Sequence, residues 1–329
     1  MLLHNRMGRP QLLARLNAET FRRRTLSFYR YVYLEDPQGF RDELYMALDH
    51  LQCYGRIYVA QEGINAQMSL PEHRVGEFLE FLESDPRLAG MPLKWAVEDD
   101  GRSFLKLAIK VRKKIVADGL TDHVFDVTNV GTHLSPLEFH ELAGREDVIV
   151  VDMRNNYESE VGRFENAICP DAFTFRDEVQ MVVEQLANQK DRKILLYCTG
   201  GVRCEKASAW MRHHGFTDVN QLHGGVIAYA AEIKHQNLAS RFIGKNFVFD
   251  ERLGERITPD IISQCHTCGA PCDTHINCAW DPCHKLFIQC DDCRKRLNNC
   301  CSDQCMNNHA ENPDLQSPRK FSGLQVCSA

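Results

Sequence analysis

Cysteines are concentrated near the carboxyl end of this chain, and their spacing restricts what that end can fold into. Ten of the fifteen cysteines lie between Cys265 and Cys305, in a segment with few apolar residues. A short segment of this kind cannot build a core from its side chains alone, so it needs bound metal or disulfides to fold. The pairs Cys265-x2-Cys268 and Cys290-x2-Cys293 have the spacing of a four-cysteine zinc ribbon and predict a structural zinc site.

The other thiols of this segment can supply a second metal site, for which the spacing selects no unique ligand set. The candidates are Cys272, Cys278, Cys283, Cys300, Cys301 and Cys305, with His266, His275, His284 and His309 nearby. Two alternatives to zinc stay open: disulfides, which form in oxidising compartments, and an iron–sulfur cluster, which uses the same thiolate ligands. We favour structural zinc because the segment is too short and too polar to fold without a metal.

Composition and the amino-terminal residues indicate a soluble, cytoplasmic protein. Apolar residues make up 43% of the chain and charged residues 26%, as in globular proteins. No apolar run reaches the ~18–20 residues that a membrane helix needs, and residues 1–20 lack the apolar core and cleavage site of a secretory signal. The net charge of -6 excludes a protein that coats nucleic acid by bulk charge, so any RNA contact must use local basic patches.

Changes in residue pattern divide the chain into five parts. These are a lead-in helix in residues 1–20, a first domain at 21–125, a second domain at 126–240, a linker and cysteine-rich metal module at 241–309, and a polar tail at 310–329. In the first domain, strand-like stretches alternate with helix-like ones. One strand lies at 26–34, a pair of strands lies at 55–70 around a turn at Glu62-Gly63, and a fourth strand lies at 104–116. The helices lie at 36–51 and 75–85. The order βαββαβ predicts a ferredoxin-like α+β domain.

The second domain has the pattern of a three-layer α/β fold. VIVVDM (148–153) and KILLYC (193–198) are short apolar runs typical of strands in a buried parallel sheet. Helical stretches at 135–143, 176–189 and 205–215 lie before, between and after these strands. Helices on both faces of a parallel sheet are therefore expected.

The stretch YCTGGVRCEKASAW (197–210) brings a cysteine from a buried strand into a glycine-containing loop that opens into a helix. Backbone N–H groups of such a loop and the positive end of the helix both stabilise a thiolate. Arg203 adds a fixed positive charge, and Gly200 and Gly201 permit the tight curvature. This environment predicts a lowered pKa for Cys198 and a nucleophilic sulfur at neutral pH.

Cysteine-dependent phosphatases use a related loop, C-x5-R, in which the arginine grips the phosphate. In this chain Cys204 occupies that position and Arg203 lies one residue early, which argues against phosphatase chemistry. Cys204 can instead act as a resolving thiol toward a persulfide, disulfide or sulfenic acid on Cys198. The alternative is that Cys204 is a helix-start residue that faces the core.

The loop resembles the rhodanese active-site loop, with Cys198 at the persulfide-forming position and residues 198–204 as the catalytic loop. VVDMRNNYESEVGRFENA (150–167) and LHGGVIAY (222–229) are similar to further rhodanese segments. The resemblance implies a rhodanese-like second domain, in which Asp152 and Arg154 support the loop together with the two glycines. Cys198, Arg203 and Cys204 are the candidate catalytic residues.

Flanking segments make the resemblance more specific. YRYVYLEDP, GRIYVAQEGINAQ, VRKKIVADG, GKNFVFDERLGERI and CHTCGAPCDTHINC, together with the Cys198 loop, resemble the bacterial tRNA uridine hydroxylases across nearly the whole chain. This resemblance implies oxygen-dependent conversion of a wobble uridine to 5-hydroxyuridine, with molecular oxygen as co-substrate, the tRNA anticodon region as partner and the Cys198-type residue required. We find no G-x-G-x-x-G motif, flavin site or two-histidine-one-carboxylate triad, so the sequence indicates neither a redox cofactor nor an electron donor.

Two chemical roles for Cys198 are considered on this basis. The thiolate can add to C6 of the uracil ring, which makes C5 electron-rich, or it can carry a persulfide or sulfenic acid. The first role needs an unstacked base, which a single-stranded anticodon loop provides at low cost. The candidate RNA contacts in the first domain are Arg112, Lys113, Lys114 and Tyr31, the last alternating with Tyr29 and Tyr33 along a strand. Alternation also fits a buried strand face.

The sequence is also compatible with two other functions. One is a sulfurtransferase that carries a persulfide on Cys198, and the other is a non-enzymatic, zinc-dependent RNA-binding protein. The presence of Cys198 in the anion-binding loop argues against the non-enzymatic function, because an inactive domain has no need for a thiol there.

Overall fold

The computed structural model describes residues 3, 7–99, 101–121 and 124–312, so the predicted polar tail lies outside the described residues beyond residue 312. The α-helices are α1 Arg9–Asn17, α2 Pro37–His50, α3 Val75–Ser84, α4 Pro136–Leu142, α5 Asn156–Val161, α6 Phe175–Gln185, α7 Val202–His213, α8 Gly225–His235, α9 Asp291–Arg296 and α10 Asp303–Glu311. The strands are β1 Arg23–Tyr31, β2 Tyr54–Ala60, β3 Gly63–Pro71, β4 Lys94–Trp95, β5 Leu107–Val111, β6 Thr132–Leu134, β7 Val148–Asp152, β8 Gly162–Phe164, β9 Lys193–Tyr197, β10 Asp218–Leu222, β11 Phe242–Asn246, β12 Glu255–Arg256, β13 His275–Asn277 and β14 Leu286–Ile288.

The first domain is a five-stranded sheet covered on one face by α2 and α3. The strand order is β4-β1-β3-β2-β5, and the insertion of β3 between β1 and β2 is the split βαβ arrangement. Alternate residues of each strand, such as Leu26 and Phe28 of β1, pack against Phe40 and Leu44 of α2. The predicted ferredoxin-like α+β fold is confirmed.

The closing strand of this domain differs from the sequence prediction. The strand expected at 104–116 is the shorter β5, which adds parallel to β2 at one edge, whereas β4 pairs with β1 at the opposite edge. Strand β4 has two residues, which is too few for an alternation pattern to reveal. Strand β5 ends where the exposed basic run from Arg112 begins.

The second domain is a four-stranded parallel sheet, in the order β6-β10-β9-β7, between two layers of helices. Consecutive β9 residues point to opposite faces: Ile194 and Leu196 pack with α6 and α7, and Leu195 and Tyr197 pack with α4 and α8. Both faces are buried, which explains the uninterrupted apolar runs. The predicted three-layer α/β fold is confirmed.

The residues after 240, for which the sequence indicates a linker, are built into the fold. Phe242–Asn246 forms β11, which pairs with β8 of the second domain and with β12. The cysteine-rich module then follows as the β13–β14 hairpin with α9 and α10. It docks on α5, where Val161 packs against Cys265 and Cys293 and where His266 contacts Glu160 at 2.7 Å. Among the described residues, no helix is both long and apolar enough to cross a membrane.

Candidate active site

A tight loop between β9 and α7 holds Cys198. Gly201 has a φ of +98°, a left-handed conformation that glycine adopts without strain, and it is the N-cap residue of α7. Its N–H donates to the Cys198 sulfur at 3.1 Å. A second glycine turn contacts the same loop so closely that a Cβ on Gly225 would lie 2.5 Å from the Cys198 carbonyl oxygen. The sulfur therefore lies at the positive end of a 12-residue helix.

The surroundings of Cys198 favour the thiolate. Burial alone would raise the pKa of this thiol, but the Cys204 thiol donates to its sulfur and Arg203 brings positive charge. The N–H groups of Arg203 and Cys204 also donate, and together these groups lower the pKa of Cys198 to about 5. Burial and the neighbouring thiolate raise the pKa of Cys204, which stays protonated. The arrangement thus favours a thiolate at Cys198 beside a protonated thiol at Cys204.

Arg203 lines the cavity but is paired with a carboxylate. Its guanidinium donates to both oxygens of Glu158, at 2.5 and 3.0 Å, and to the hydroxyl of Thr199 at 3.3 Å. Thr199 in turn donates to Glu158 at 3.1 Å. Arg203 therefore supports the loop and the thiolate by its charge, and Glu158, on α5, is the residue that fixes its position.

Asp152 and Arg154 form a second buried ion pair beneath the sheet edge. Arg154 donates to Asp152 at 2.7 Å, and both side chains are fully buried. Tyr197 donates to the same carboxylate at 2.6 Å, and Arg154 also donates to the Gly162 carbonyl oxygen. The pair joins β7, β9 and β8, so its contacts are those of structural support for the strand that ends at Cys198.

Three parts of the chain, namely the first domain, the second domain and the residues after 240, surround one cavity of about 850 Å³ that reaches the Cys198 loop. The first domain contributes the sheet face opposite α2 and α3, including Tyr29 and Lys94. The segment after β11 contributes Phe247 and Phe249, and the cysteine-rich module contributes the stretch around Cys278. This volume and mixed lining are typical of small-molecule or nucleotide sites.

The candidate RNA contacts fall into two groups. Tyr31 donates its hydroxyl to the Val202 carbonyl oxygen at 3.2 Å, and the Lys114 ammonium contacts Asp118 at 2.8 Å. These two side chains are engaged within the protein, because the strand face that bears Tyr31 is covered by the second domain. Arg112 and Lys113 are exposed.

The cysteine-rich module brings its thiols together in two groups of four. Cys265, Cys268, Cys290 and Cys293 form one group, and Cys278, Cys283, Cys301 and Cys305 form the other; within each, all sulfurs lie within 4.8 Å of one another. Cys272 and Cys300, two of the six candidates for a second site, lie outside both groups. The Sγ–Sγ distance is 3.7 Å for Cys268–Cys290 and for Cys283–Cys301, far longer than the ~2.0 Å of a disulfide bond.

The lowered pKa of Cys198 can be tested by alkylation. Because iodoacetamide reacts with the thiolate, labelling of Cys198 is expected to rise through about pH 5 and then level off, when followed by peptide mass spectrometry. Cys204→Ala removes a donor to the sulfur and is expected to move this inflection to higher pH. Cys204→Ser keeps a donor and serves as the control. An inflection of the wild type near the free-thiol value of ~8.5 would contradict the assignment.

Comparison with known proteins matches this architecture. Three family models cover successive parts of the chain: UPF0176 acylphosphatase like domain at 23–115, Rhodanese-like domain at 135–232 and Rhodanase C-terminal at 243–306. The chain is 56% identical to a tRNA uridine(34) hydroxylase of Leptospira interrogans, over 93% of this chain and 83% of that one. Proteins of the same name from Erwinia tasmaniensis and Sodalis glossinidius are 51% and 54% identical, over 97% and 92% of this chain and 91% and 87% of theirs.

The chain belongs to the tRNA uridine(34) hydroxylase family. The resemblance inferred from the sequence is therefore confirmed. Among solved structures, the rhodanese-like domain of an Anabaena protein is similar at 20% identity and a TM-score of 0.27, over 34% of this chain and 78% of that one.

Sequence reasoning missed several residues of this family member's cavity. Lys94 is an isolated lysine in a stretch with no motif, and Phe247 and Phe249 lie in the segment for which the sequence predicts a linker. The sequence GKNFVFDERLGERI carries the resemblance to the family, which was the one signal that pointed to this segment.

Proposed function

We propose that this chain hydroxylates the wobble uridine of tRNA, with Cys198 as the nucleophile and molecular oxygen as the source of the added atom. The observation that carries this proposal is a thiolate-favouring loop at a cavity shared by all three parts of the chain. The names of relatives that are more than 50% identical along most of the chain support the substrate and the reaction.

The geometry suits a base that has left its stack. Tyr29, Phe247 and Phe249 provide aromatic faces in the cavity, and the thiolate lies at its edge. Addition of the sulfur to C6 of uracil would make C5 electron-rich and ready to take an oxygen atom. A base in a single-stranded anticodon loop can enter such a cavity without breaking a duplex.

Roles for the other site residues follow from their contacts. Arg203 and Glu158 hold the loop and its charge, and Asp152 with Arg154 fixes the strand behind it. The exposed Arg112 and Lys113 are proposed to contact tRNA phosphates. Cys204 is a candidate donor to the Cys198 sulfur and a candidate resolving thiol.

The test is nucleoside mass spectrometry on tRNA incubated with the purified protein and dithiothreitol, under air and under nitrogen. Hydroxylation takes one atom of O2 into uridine, and the other leaves as water with two electrons and two protons from the reductant. We expect a uridine product that is heavier by one oxygen atom under air and no such product under nitrogen. Absence of that product, with thiosulfate-dependent transfer of sulfur to cyanide or tRNA, would instead support a sulfurtransferase that uses the same cysteine.

We further propose that each group of four cysteines binds a structural zinc ion. Four bonds of about 2.3 Å in a tetrahedron space the sulfurs about 3.8 Å apart, close to the observed 3.7 Å of Cys268–Cys290 and 3.6 Å of Cys301–Cys305. A zinc ion would screen the negative charge of thiolates that are otherwise crowded together. The second group contains Cys278, which lines the cavity, so its metal would also fix one cavity wall.

Metal analysis of the purified protein is expected to give two zinc ions per chain. Cys268→Ser is expected to lower the content to about one, because a structural zinc site needs all four ligands. Cys272→Ser is the matched control, since Cys272 lies in the same module but outside both groups, and it should retain two. Iron in place of zinc would contradict the assignment, as would equal metal loss in both variants.

A further inference from the structure

Lys94 is a lysine of the first domain that reaches the Cys198 loop of the second. It lies on β4, at the edge of the first sheet, and only 8% of the residue is exposed. Its aliphatic chain passes over the turns at Gly200 and at Gly224. The Cδ atom lies 3.8 Å from the position that a Cβ on Gly200 would take, and the Cε atom lies 3.8 Å from the position that a Cβ on Gly224 would take. Its ammonium lies 4.2 Å from the centroid of the Tyr29 ring, inside the cavity.

The other cations of the cavity wall are already paired. Arg9 contacts Glu251, Arg252 contacts Asp250 and Glu255, Arg203 contacts Glu158, and Arg56 donates to the Phe249 carbonyl oxygen. Lys94 differs from these arginines: among the residues that the structure describes, no carboxylate lies within 4 Å of its ammonium. It is the cation in the described cavity wall that an incoming negative charge can use.

The charged and titratable groups that face Lys94 are Tyr29, Cys198, Glu205 and His223. Glu205 is not available as a counter-ion, because its carboxylate already accepts hydrogen bonds from Tyr29, His133 and Gln221. Burial lowers the pKa of Lys94 to about 8, and the charges of Cys198 and Glu205 limit that fall. Because this pKa lies above 7, the ammonium is mostly charged at neutral pH.

We propose that Lys94 is a second catalytic group, which donates a hydrogen bond to the uracil oxygen that becomes negative when Cys198 adds to the ring. The proposal rests on the function proposed above and deepens it. In the step concerned, the S–C6 bond forms and the electron pair of the C5=C6 bond moves toward C4, so that O4 takes the negative charge that the sulfur loses. Lys94 meets this charge in a buried site where an ion interaction is strong. No oxidant takes part in the step.

This step can be isolated from hydroxylation by excluding oxygen. Reversible addition at C6 makes C5 able to exchange its hydrogen with solvent, so tRNA incubated under nitrogen in D2O should gain one deuterium at C5 of the target uridine. Mass spectrometry of the nucleosides measures the rate. The variants are Lys94→Met, which keeps the length and loses the charge, Lys94→Arg, which keeps the charge, and Lys106→Met, an exposed lysine of the same domain as the control.

We expect Lys94→Met to slow exchange by about 100-fold or more, the usual cost of losing one donor to a developing oxyanion. Lys94→Arg should slow the exchange less than Lys94→Met does, and Lys106→Met should exchange at the wild-type rate. Lys94→Met should also melt no lower than the wild type, because it removes a buried charge that no carboxylate of the described residues pairs with. Its Cys198 should still be alkylated well below the free-thiol value of ~8.5, since the donors to the sulfur are unchanged and only the charge interaction with Lys94 is lost.

Each contrary outcome has a distinct meaning. Wild-type exchange in Lys94→Met overturns the proposal. A shift of the Cys198 alkylation inflection in that variant to the free-thiol value of ~8.5 also overturns it, because Lys94 would then act mainly through the thiolate. Hydroxylation in air without exchange under nitrogen would remove the addition step and this role while the hydroxylase stands. If the wild type catalysed neither hydroxylation nor exchange, the proposed function itself would be contradicted.

Discussion

Replacing Cys198 by serine is expected to reduce the yield of hydroxylated uridine by about 1,000-fold or more, as loss of a nucleophile does in other enzymes. The loop lowers a thiol pKa to about 5, but no such environment ionises a serine hydroxyl at neutral pH. The serine retains the loop geometry, since its oxygen can still accept from the Gly201 N–H. Nucleoside mass spectrometry on tRNA treated with each protein under air measures the effect.

Cys169→Ser is the matched control for this experiment. Cys169 is a partly exposed thiol of the same domain, and burial raises its pKa to about 11, so it is not a nucleophile at neutral pH. Its replacement is expected to leave the yield unchanged. If Cys198→Ser retained more than about a tenth of the product, the nucleophilic role would be abandoned, because positioning and electrostatic effects alone would explain the rate.

The second large effect is expected on stability, from Arg154→Met. This change leaves the Asp152 carboxylate buried without its cation, a situation that costs about 3–5 kcal/mol of folding free energy. The loss should appear as faster amide hydrogen exchange in the peptides that span β7 and β9, the strands joined through Asp152 and Tyr197. Asp152→Asn together with Arg154→Met removes both charges and should recover much of the stability.

Arg145 and Asp147 provide a control of nearly the same geometry on the surface. Their ion pair is also 2.7 Å long and also joins residues two apart, but its side chains are 56% and 66% exposed. Water and salt screen such a pair, so Arg145→Met is expected to leave hydrogen exchange unchanged. Equal effects of the two substitutions would show that burial does not set the strength of the Asp152–Arg154 pair. A direct role of Arg154 in the reaction would instead lower product formation without a loss of stability.

The features that the sequence determined are those encoded by neighbouring residues. The apolar runs at 148–153 and 193–198 identify buried parallel strands, because burial on both faces removes the polar alternation. The Cys198 loop is equally local: the glycines, the following helix and the nearby Arg203 fall within a few residues of the sulfur. The first cysteine group could be chosen from spacing because its two C-x2-C pairs are complete in the sequence.

Tertiary structure decided what depends on distant parts of the chain. Lys94 reaches the glycine turns of the Cys198 loop from a two-residue strand that is distant in sequence, and no periodicity marks so short an element. Glu158, on α5, holds Arg203 by an ion pair across 45 residues of sequence. The second cysteine group consists of Cys278, Cys283, Cys301 and Cys305, a choice among six candidates that no spacing in the sequence makes. Tyr31 lies under the second domain. Strand alternation predicts which face of the sheet bears its side chain, but only the packing of the two domains decides what covers that face.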